Sequence, residues 1–276
     1  MKGRLSTFML IVVLLVGLSL LLYPTVSDYW NSFHQTKVIS GYSQAITQMN
    51  LDQYKHIWEE AQEYNTWLLE RENPYRVTEE QRQRYERILN LDGSGIMGYI
   101  EIPTIRCELP IYHSTEESVL QVAVGHLDWT SLPTGGESTH CVISGHRGLP
   151  SAKLFTDLDQ LREGDLFLLQ ILDETLTYQI DQILIVTPDD TDALLIEPGK
   201  DYCTLVTCTP YGINSHRMLV RGTRVENQKQ AATVRVTADA IQIDPIIVAT
   251  VLAVPLLVLL VITVIIGDEI RKKRYK

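Results

Sequence analysis

Two long apolar stretches, one near each end, constrain this chain more than any other feature. The first, residues 8–23, follows two basic residues, and the second, residues 246–266, precedes a tail rich in Lys and Arg. About 20 helical residues cross a hydrocarbon core of about 30 Å, so the second stretch is long enough to span a membrane. Basic residues flank the outer end of each stretch, which predicts cytoplasmic termini and an extracellular middle. We therefore expect a cell-membrane protein with two spans.

The first stretch is short enough to be a cleaved signal peptide. Its downstream flank, residues 23–28, reads Tyr-Pro-Thr-Val-Ser-Asp and lacks the small-x-small pattern of a cleavage site. We therefore interpret residues 1–24 as an uncleaved transmembrane signal anchor. Residues 246–267 are then the C-terminal transmembrane helix and residues 268–276 a basic cytoplasmic tail. A buried helix in a soluble core is the alternative for the second stretch.

Charge and cysteine content exclude several classes of protein. The chain has 24 Lys and Arg against 34 Asp and Glu, a net charge of −10, and much of the basic charge lies in the two flanks. An acidic extracellular part argues against binding nucleic acid or an anionic membrane surface. The four cysteines are too few for a disulfide framework; we expect Cys203 to pack on the face opposite Cys208, and Cys107 and Cys141 to be buried thiols, with a disulfide between them as the alternative. Because HExxH, CxxC and Gly-rich phosphate loops are missing from the sequence, no metal or cofactor is expected.

Between the two spans the residue pattern changes from helical to extended. Apolar residues recur every three or four positions from Tyr54 to Leu68, which predicts a helix over about residues 40–70 within a helical lead-in, residues 25–95. Ser114 and Glu117 have the spacing of a capping box and predict a brief helix. Short segments rich in Ile, Val, Leu, Tyr and Thr then predict strands over residues 98–102, 108–112, 140–144, 166–171, 176–186, 202–207 and 218–225.

About seven to eight short strands with few intervening helices indicate a mainly β fold. We expect a closed antiparallel β-barrel over residues 96–226, with N-terminal helices before it and a transmembrane helix on either side. Residues 227–245 are polar and are interpreted as a tether to the second span.

Three segments place reactive side chains at predicted strand ends. His146 lies between two glycines after one strand, Cys208 ends a second, and Arg217 opens a third. An adjacent imidazole or cation makes a cysteine thiolate available at neutral pH, and an arginine can hold the oxyanion of an acyl-transfer intermediate. The set therefore suits the opening of an amide through a thioester. Sequence spacing alone is weak evidence, because a lone His or Cys at a strand end is more often structural.

The combination of motifs is more specific than any one of them. The string TLVTCTPYGINSHRMLVRG, residues 204–222, resembles the active-site strand pair of the sortases, and SGHRGLP, residues 144–150, resembles their catalytic-histidine segment. GHLDWTSLPTGGESTH, residues 125–140, is similar to the stretch that precedes it in class C members. The resemblance covers about residues 40–225, and the two spans also suit class C, the pilin-polymerising sortases. It implies a sortase-like barrel and a cysteine transpeptidase that needs no cofactor.

The resemblance also implies roles for the three reactive residues. Cys208 corresponds to the family's nucleophile and is expected to hold an LPxTG-like sorting signal as a thioester after attack on its Thr-Gly bond. His146 is expected to act as general acid and then general base. Arg217 is expected to bind the substrate and stabilise the oxyanion. The implied partners are pilins or surface proteins carrying such signals, and the implied acceptor is a lysine amine on a pilin, which yields covalent pili.

Class C sortases also carry an N-terminal lid, commonly Asp-Pro-aromatic, over the catalytic cysteine. The matching segment here is Asn73-Pro74-Tyr75, in which Asn replaces the acid. The resemblance therefore implies no ion pair from the lid to Arg217, whereas Tyr75 can still cover the sulfur of Cys208. A plain loop turn at Asn-Pro is the alternative.

Two other functions stay open at this point. One is a sortase that attaches surface proteins to cell-wall peptide, against which the two spans and the lid segment argue. The other is a membrane-tethered assembly or binding domain that kept the barrel and lost activity, against which the retention of all three reactive residues argues.

Overall fold

The computed structural model describes residues 2–71, 73 and 75–227. Within these residues the chain forms four α-helices and eight β-strands: α1 Lys2–Thr47, α2 Leu51–Leu69, α3 Glu79–Arg87, β1 Ile96–Ile102, β2 Cys107–His113, α4 Glu117–Leu120, β3 Val124–His126, β4 Thr139–Ser144, β5 Leu166–Ile171, β6 Glu174–Val186, β7 Asp201–Thr209 and β8 His216–Val225. The predicted second span and the basic tail lie outside the described residues, as does the tether except for its first residue, Asn227.

Helix α1 is the feature that bears on membrane anchoring. It runs without interruption through Pro24, and its part from Ile11 onward contains an 18-residue window with a mean hydropathy of 1.9. In the described part of the chain it is the one helix long and apolar enough to cross a membrane, by length and composition alone. A signal sequence near an N-terminus has the same properties, so the finding agrees with either interpretation of the first stretch.

The predicted helix over residues 40–70 is two helices, which corrects the prediction. Asn50 caps α2: its side-chain oxygen accepts from the backbone N–H of Gln53 at 2.8 Å, and the Gln53 side chain accepts from the N–H of Asn50 at 3.1 Å. This reciprocal pair satisfies two N–H groups that would otherwise be unpaired, so the chain starts a new helix there. The apolar spacing continues across the break and concealed it.

The eight strands close into a barrel in the order β1-β2-β3-β4-β7-β8-β6-β5. A closed barrel of about this strand number was predicted and is confirmed. The prediction that it is antiparallel throughout is wrong, because β2 pairs with β3 and β4 pairs with β7 in parallel. Parallel neighbours need a crossover between them, and the long connections that provide it lie between β2 and β3 and between β4 and β7.

Two local predictions also need correction. Strand β3 was missed because three residues are too few for an alternating pattern. The predicted short helix exists as α4, but Ser114 does not cap it; the side-chain oxygen of Ser114 instead accepts from the N–H of Glu116 at 3.0 Å in a local turn. Ser114 has a φ of 69°, which leaves it outside the extended geometry that an N-cap residue adopts.

The helical lead-in packs onto the barrel through buried polar contacts as well as apolar ones. Asn65 of α2 is buried and joins the loop before β4: its Nδ2 donates to the carbonyl of Leu132 at 3.1 Å and to Thr134 Oγ1 at 2.9 Å, and its Oδ1 accepts from the N–H of Leu132 at 2.7 Å. Tyr42 of α1 donates to the carbonyl of Met97 at 2.8 Å. These contacts fix both helices against the barrel wall.

Candidate active site

Cys208 and Arg217 meet across the β7–β8 pair. They are direct partners in its antiparallel register, and both are half-buried. Directly opposite residues on one face have Cβ atoms about 4.5–5.5 Å apart, so the two side chains leave the sheet together. Cys203 lies on the other face, inside the barrel, as strand alternation predicts.

His146 follows β4, which runs parallel to β7. The last register pair is Ser144 with Val206, and the ladder continues with the N–H of Gly145 donating to the carbonyl of Val206 at 3.0 Å. Two residues further on each strand come His146 and Cys208. The register therefore brings position 146 level with position 208, at the end of the barrel where β8 begins and carries Arg217.

Gly145 allows the chain to leave β4 at this point. A Cβ atom there would lie 2.7 Å from Phe155 Cδ2 and 2.9 Å from Val124 Cγ1, both side chains of the barrel interior. Its carbonyl also accepts from Thr207 Oγ1 at 2.8 Å. The backbone before His146 is thus tied to the strand that carries Cys208, and a larger residue at position 145 would collide with Phe155 and Val124.

His146 and Arg217 each have partners that a substrate can replace. His146 Nε2 lies 3.4 Å from Glu117 Oε2 of α4, and Glu117 is an exposed residue whose pKa is lowered by hydrogen bonds from Gln121 and then from His146. Arg217 Nη1 donates to the carbonyls of Asn214 at 3.3 Å and His216 at 3.2 Å. Both sets of contacts are open to solvent, so they orient the two side chains and can still be exchanged for contacts with a substrate.

Sequence reasoning missed Arg147, which links the histidine segment to the cysteine strand. Its guanidinium forms an ion pair with Asp159, donates to Thr209 Oγ1 at 3.4 Å, and lies 6.0 Å from the centroid of the Tyr211 ring. The Arg147 side chain is 10% exposed. Thr209 directly follows Cys208, so this arginine joins the residues next to both candidate catalytic groups. An arginine directly after a candidate histidine was the available signal.

An apolar patch on the outside of the barrel ends at Cys208. The outer apolar patch consists of buried side chains from β4, β7, β8 and the β6–β7 connection, with others packed at its margin: Val142, Leu194, Val206 and Leu219, and Leu127, Trp129, Leu184, Val186 and Ala193. Val206 precedes Cys208 by two residues and so shares its face. The patch offers apolar side chains next to the thiol.

The predicted lid segment lies at the margin of this patch. Asn73 Oδ1 accepts from the N–H of Tyr75 at 3.0 Å, which makes a local turn. The Tyr75 ring lies 4.9 Å from that of Trp129, and Thr191 Oγ1 donates to the Tyr75 hydroxyl at 3.1 Å. Pro74 lies outside the described residues. The side chain of Tyr75 therefore bridges the loop before β4 and the β6–β7 connection.

The other three cysteines have a different environment. All four cysteines are free thiols, and Cys141 and Cys203 are register partners on β4 and β7 that face the barrel interior. Burial raises the pKa of Cys203 well above its usual value and that of Cys107 to about 12. The thiolate is the reactive form, so these two thiols are poor nucleophiles. Cys107 is half-buried rather than buried, which departs from the prediction.

Comparison with known proteins agrees with this geometry. A sortase domain family model matches residues 100–225. The structure of sortase C1 from Streptococcus agalactiae is 52% identical over 70% of this chain and 100% of its own, with a TM-score of 0.68. That of Streptococcus pneumoniae sortase C is 44% identical over 69% of this chain and 97% of its own, with a TM-score of 0.61.

Curated sequences give shorter matches. Sortase D of Bacillus subtilis is 34% identical over 46% of this chain, and sortase A of Bacillus anthracis is 31% identical over 48%. The chain spans 63% and 61% of the lengths of these two relatives. The barrel, the register of its reactive residues and the full-length match to sortase C1 lead to one conclusion: the chain belongs to the sortase family.

Proposed function

We propose that this chain is a membrane-anchored class C sortase that cleaves an LPxTG-like sorting signal and transfers it to a lysine amine of a pilin. The observation that carries the proposal is the convergence of His146, Cys208 and Arg217 at one end of three neighbouring strands. The class is supported by likeness to sortases C, of which the one from Streptococcus pneumoniae is described with a pilin substrate.

The proposed reaction has two acyl transfers. The Cys208 sulfur attacks the threonine carbonyl carbon, and Arg217 stabilises the oxyanion. The C–N bond to glycine breaks as His146 gives a proton to the leaving amine, which leaves a thioester on Cys208. The lysine amine then loses a proton to His146 and attacks the thioester. The C–S bond breaks, an amide forms and the Cys208 thiolate returns.

The proposed lid acts on access to the thiol. Tyr75 contacts Trp129 and Thr191 at the margin of the outer apolar patch, so a peptide that occupies the patch has to displace it. Asn73 is uncharged, and its side-chain oxygen already accepts a hydrogen bond from the N–H of Tyr75. The proposed lid is therefore held by the contacts of Tyr75 rather than by an ion pair to Arg217. Asn73, Pro74 and Tyr75 together form the proposed lid.

The proposed topology has two spans, with the N-terminal anchor and residues 246–267 in the membrane and both termini in the cytoplasm. The length and hydropathy of α1 and the basic flanks support it. The catalytic barrel then lies outside the cell, where pilins and other surface proteins are found.

Incubation of the purified chain with an LPxTG-type peptide and a lysine-bearing acceptor tests this function. We expect an amide between the threonine carboxyl and the lysine amine, detected by mass spectrometry, and loss of product in Cys208→Ala. Cys107→Ala is the matched control, because it removes another half-buried thiol, and it should keep activity. Product with a glycine or cell-wall-type amine and none with lysine would indicate attachment to cell-wall peptide instead. Peptide binding without cleavage would indicate a binding domain and refute the enzyme.

A further inference from the structure

The position of the membrane boundary along α1 can be worked out from the sequence. Arg4 is the last basic residue before the apolar stretch. With a rise of about 1.5 Å per residue, a hydrocarbon core of about 30 Å takes about 20 residues. The outer edge of the core therefore falls near Pro24. Since α1 continues unbroken to Thr47, the same continuous helix leaves the membrane and runs along the barrel.

Beyond this boundary α1 has two different faces. Asp28 accepts from the N–H of Lys153 at 2.7 Å, Asn31 donates to the carbonyl of Ser151 at 2.7 Å, and Gln35 donates to that of Val122 at 2.7 Å. These residues recur on one side and hold the helix against residues 151–153, which follow the histidine segment, and against Val122, which precedes β3. The other side carries exposed large side chains: Tyr23, Val26, Tyr29 and Trp30 lie within about 10 Å of Pro24 along the helix, and Phe33 lies about 14 Å beyond it. Aromatic residues at this level are typical of membrane–water interfaces.

The β7–β8 loop, residues 210–215, reaches the same level as the boundary. A cleft of about 280 Å³ is lined by Pro24 and Thr25 of α1 on one side and by Tyr211 of this loop on another. The Tyr211 ring packs closely on the backbone of Gly148, since a Cβ atom at position 148 would lie 2.8 Å from Tyr211 Cε2. Tyr211 of the loop thus lies across this cleft from Pro24, the residue at which the helix leaves the hydrocarbon core.

The side chains of this loop suit a lipid interface. Tyr211 is 61% and Ile213 is 71% exposed, although both are large and apolar. The segment 209–215 contains no Asp, Glu, Lys or Arg, in a chain whose net charge is −10. A contact of this loop with lipid would therefore be apolar and aromatic, which avoids the repulsion that an acidic domain meets at anionic headgroups.

We propose that the tip of the β7–β8 loop, Tyr211 and Ile213, rests in the interfacial layer of the bilayer beside α1. The inference depends on the proposed membrane anchoring by α1. It orients the catalytic end of the barrel towards the lipid surface, because this loop connects Cys208 directly to Arg217. The partner is the bilayer itself, and the loop adds a second attachment to the one that α1 provides.

A depth measurement on the full chain in vesicles tests the proposal. Ile213→Cys, in a Cys208→Ala background, is labelled with an environment-sensitive dye and reconstituted in phosphatidylcholine and phosphatidylglycerol vesicles. An amphipathic surface segment inserts about 5–10 Å, so lipids brominated in the acyl chain should remove roughly half of the fluorescence. Iodide in the buffer should have little effect. Tyr211→Cys provides a second site in the same loop.

The matched control is Asp173→Cys in the turn between β5 and β6. The neighbouring Leu172 N–H binds the Tyr42 hydroxyl, and Tyr42 lies about 27 Å beyond Pro24 along α1 at about 1.5 Å per residue. The fluorescence of a dye at position 173 should be quenched by iodide and not by brominated lipid. The Cys208→Ala chain without an added cysteine gives the background labelling. Equal responses at positions 213, 211 and 173 would overturn the proposal. Because the readout needs no catalysis, such a failure leaves the proposed thioester chemistry untouched.

Discussion

The ion pair between Arg147 and Asp159 allows a prediction in which the size of the stability loss depends on which partner is removed. The Arg147 side chain is 10% exposed and that of Asp159 is 47% exposed. Asp159→Ala leaves the guanidinium shielded from water, with Thr209 Oγ1 at 3.4 Å and an Nε that has no partner. Arg147→Met removes the charge, keeps much of the buried apolar stem and leaves a carboxylate that water can reach.

These environments set the expected magnitudes. Removing one partner of a buried pair costs about 3–5 kcal/mol, and the open carboxylate side of this pair lowers the cost of Asp159→Ala to about 2–3 kcal/mol. Arg147→Met should cost about 1 kcal/mol, close to the upper value for exposed pairs. For a domain of this size each 1 kcal/mol lowers Tm by about 2–4 °C. The double variant should be more stable than Asp159→Ala alone, because no buried charge remains.

Thermal unfolding of the detergent-solubilised chain, followed by circular dichroism, measures all three variants. We expect Asp159→Ala to lower Tm the most. The double variant should lower Tm by less, and Arg147→Met should lower it by as much as the double variant or by less. Equal losses for the two single variants, or a double variant less stable than either, would refute the reasoning that burial of the arginine decides the cost.

Three further predictions follow from the site and the fold. Tyr75→Ala should raise the rate at which a thiol reagent alkylates Cys208, because in the proposed lid the Tyr75 ring restricts access along the outer apolar patch from its margin. Asn65→Ala should lower the free energy of unfolding by about 2–4 kcal/mol, since it leaves buried groups of Leu132 and Thr134 unpaired. Burial lowers the pKa of His113 and His140 below the ordinary value of 6.5. Below about pH 6.5 the unfolded chain therefore binds more protons than the folded chain. The free energy of unfolding should fall as the pH drops from about 7 towards the pKa of these histidines in the folded state.

Each of these has its own control and its own refuting result. Tyr54→Ala removes an aromatic ring from α2 and should leave alkylation unchanged; an unaltered rate in Tyr75→Ala would rule out the lid. Thr66→Ala, an exposed neighbour of Asn65, should change the free energy of unfolding measured by urea denaturation by less than about 0.5 kcal/mol, and an equal change in both variants would contradict the role of Asn65. Unfolding free energies that do not change between about pH 7 and 5.5 would contradict the histidine prediction, and His140→Gln should reduce the slope.

The sequence predicted most strands because alternation and turn residues are local signals. It did not predict the two parallel pairings, since register and direction depend on how long connections cross the barrel. Asn50 and Gln53 had the spacing of a helix start, but continuous apolar spacing on either side concealed it. Strand β3 is held by its neighbours rather than by its own pattern.

The three candidate catalytic residues were predicted from motifs, and only the fold explains why they meet. The parallel β4–β7 register brings the ends of two distant segments level, and no spacing in the sequence encodes that alignment. Arg147 was missed because its partners, Asp159 and Thr209, come from different parts of the chain. The lid segment was found by resemblance, whereas its contacts with Trp129 and Thr191 required the structure.

The most direct test of the account is the site of the covalent intermediate. The chain is incubated with an LPxTG-type peptide without an amine acceptor, quenched in acid, digested and mapped by tandem mass spectrometry. The account predicts an acyl group ending in threonine on Cys208, absent after hydroxylamine treatment and absent in Cys208→Ala. An adduct on Cys107, Cys141 or Cys203, or peptide cleavage that persists in Cys208→Ala, would contradict it.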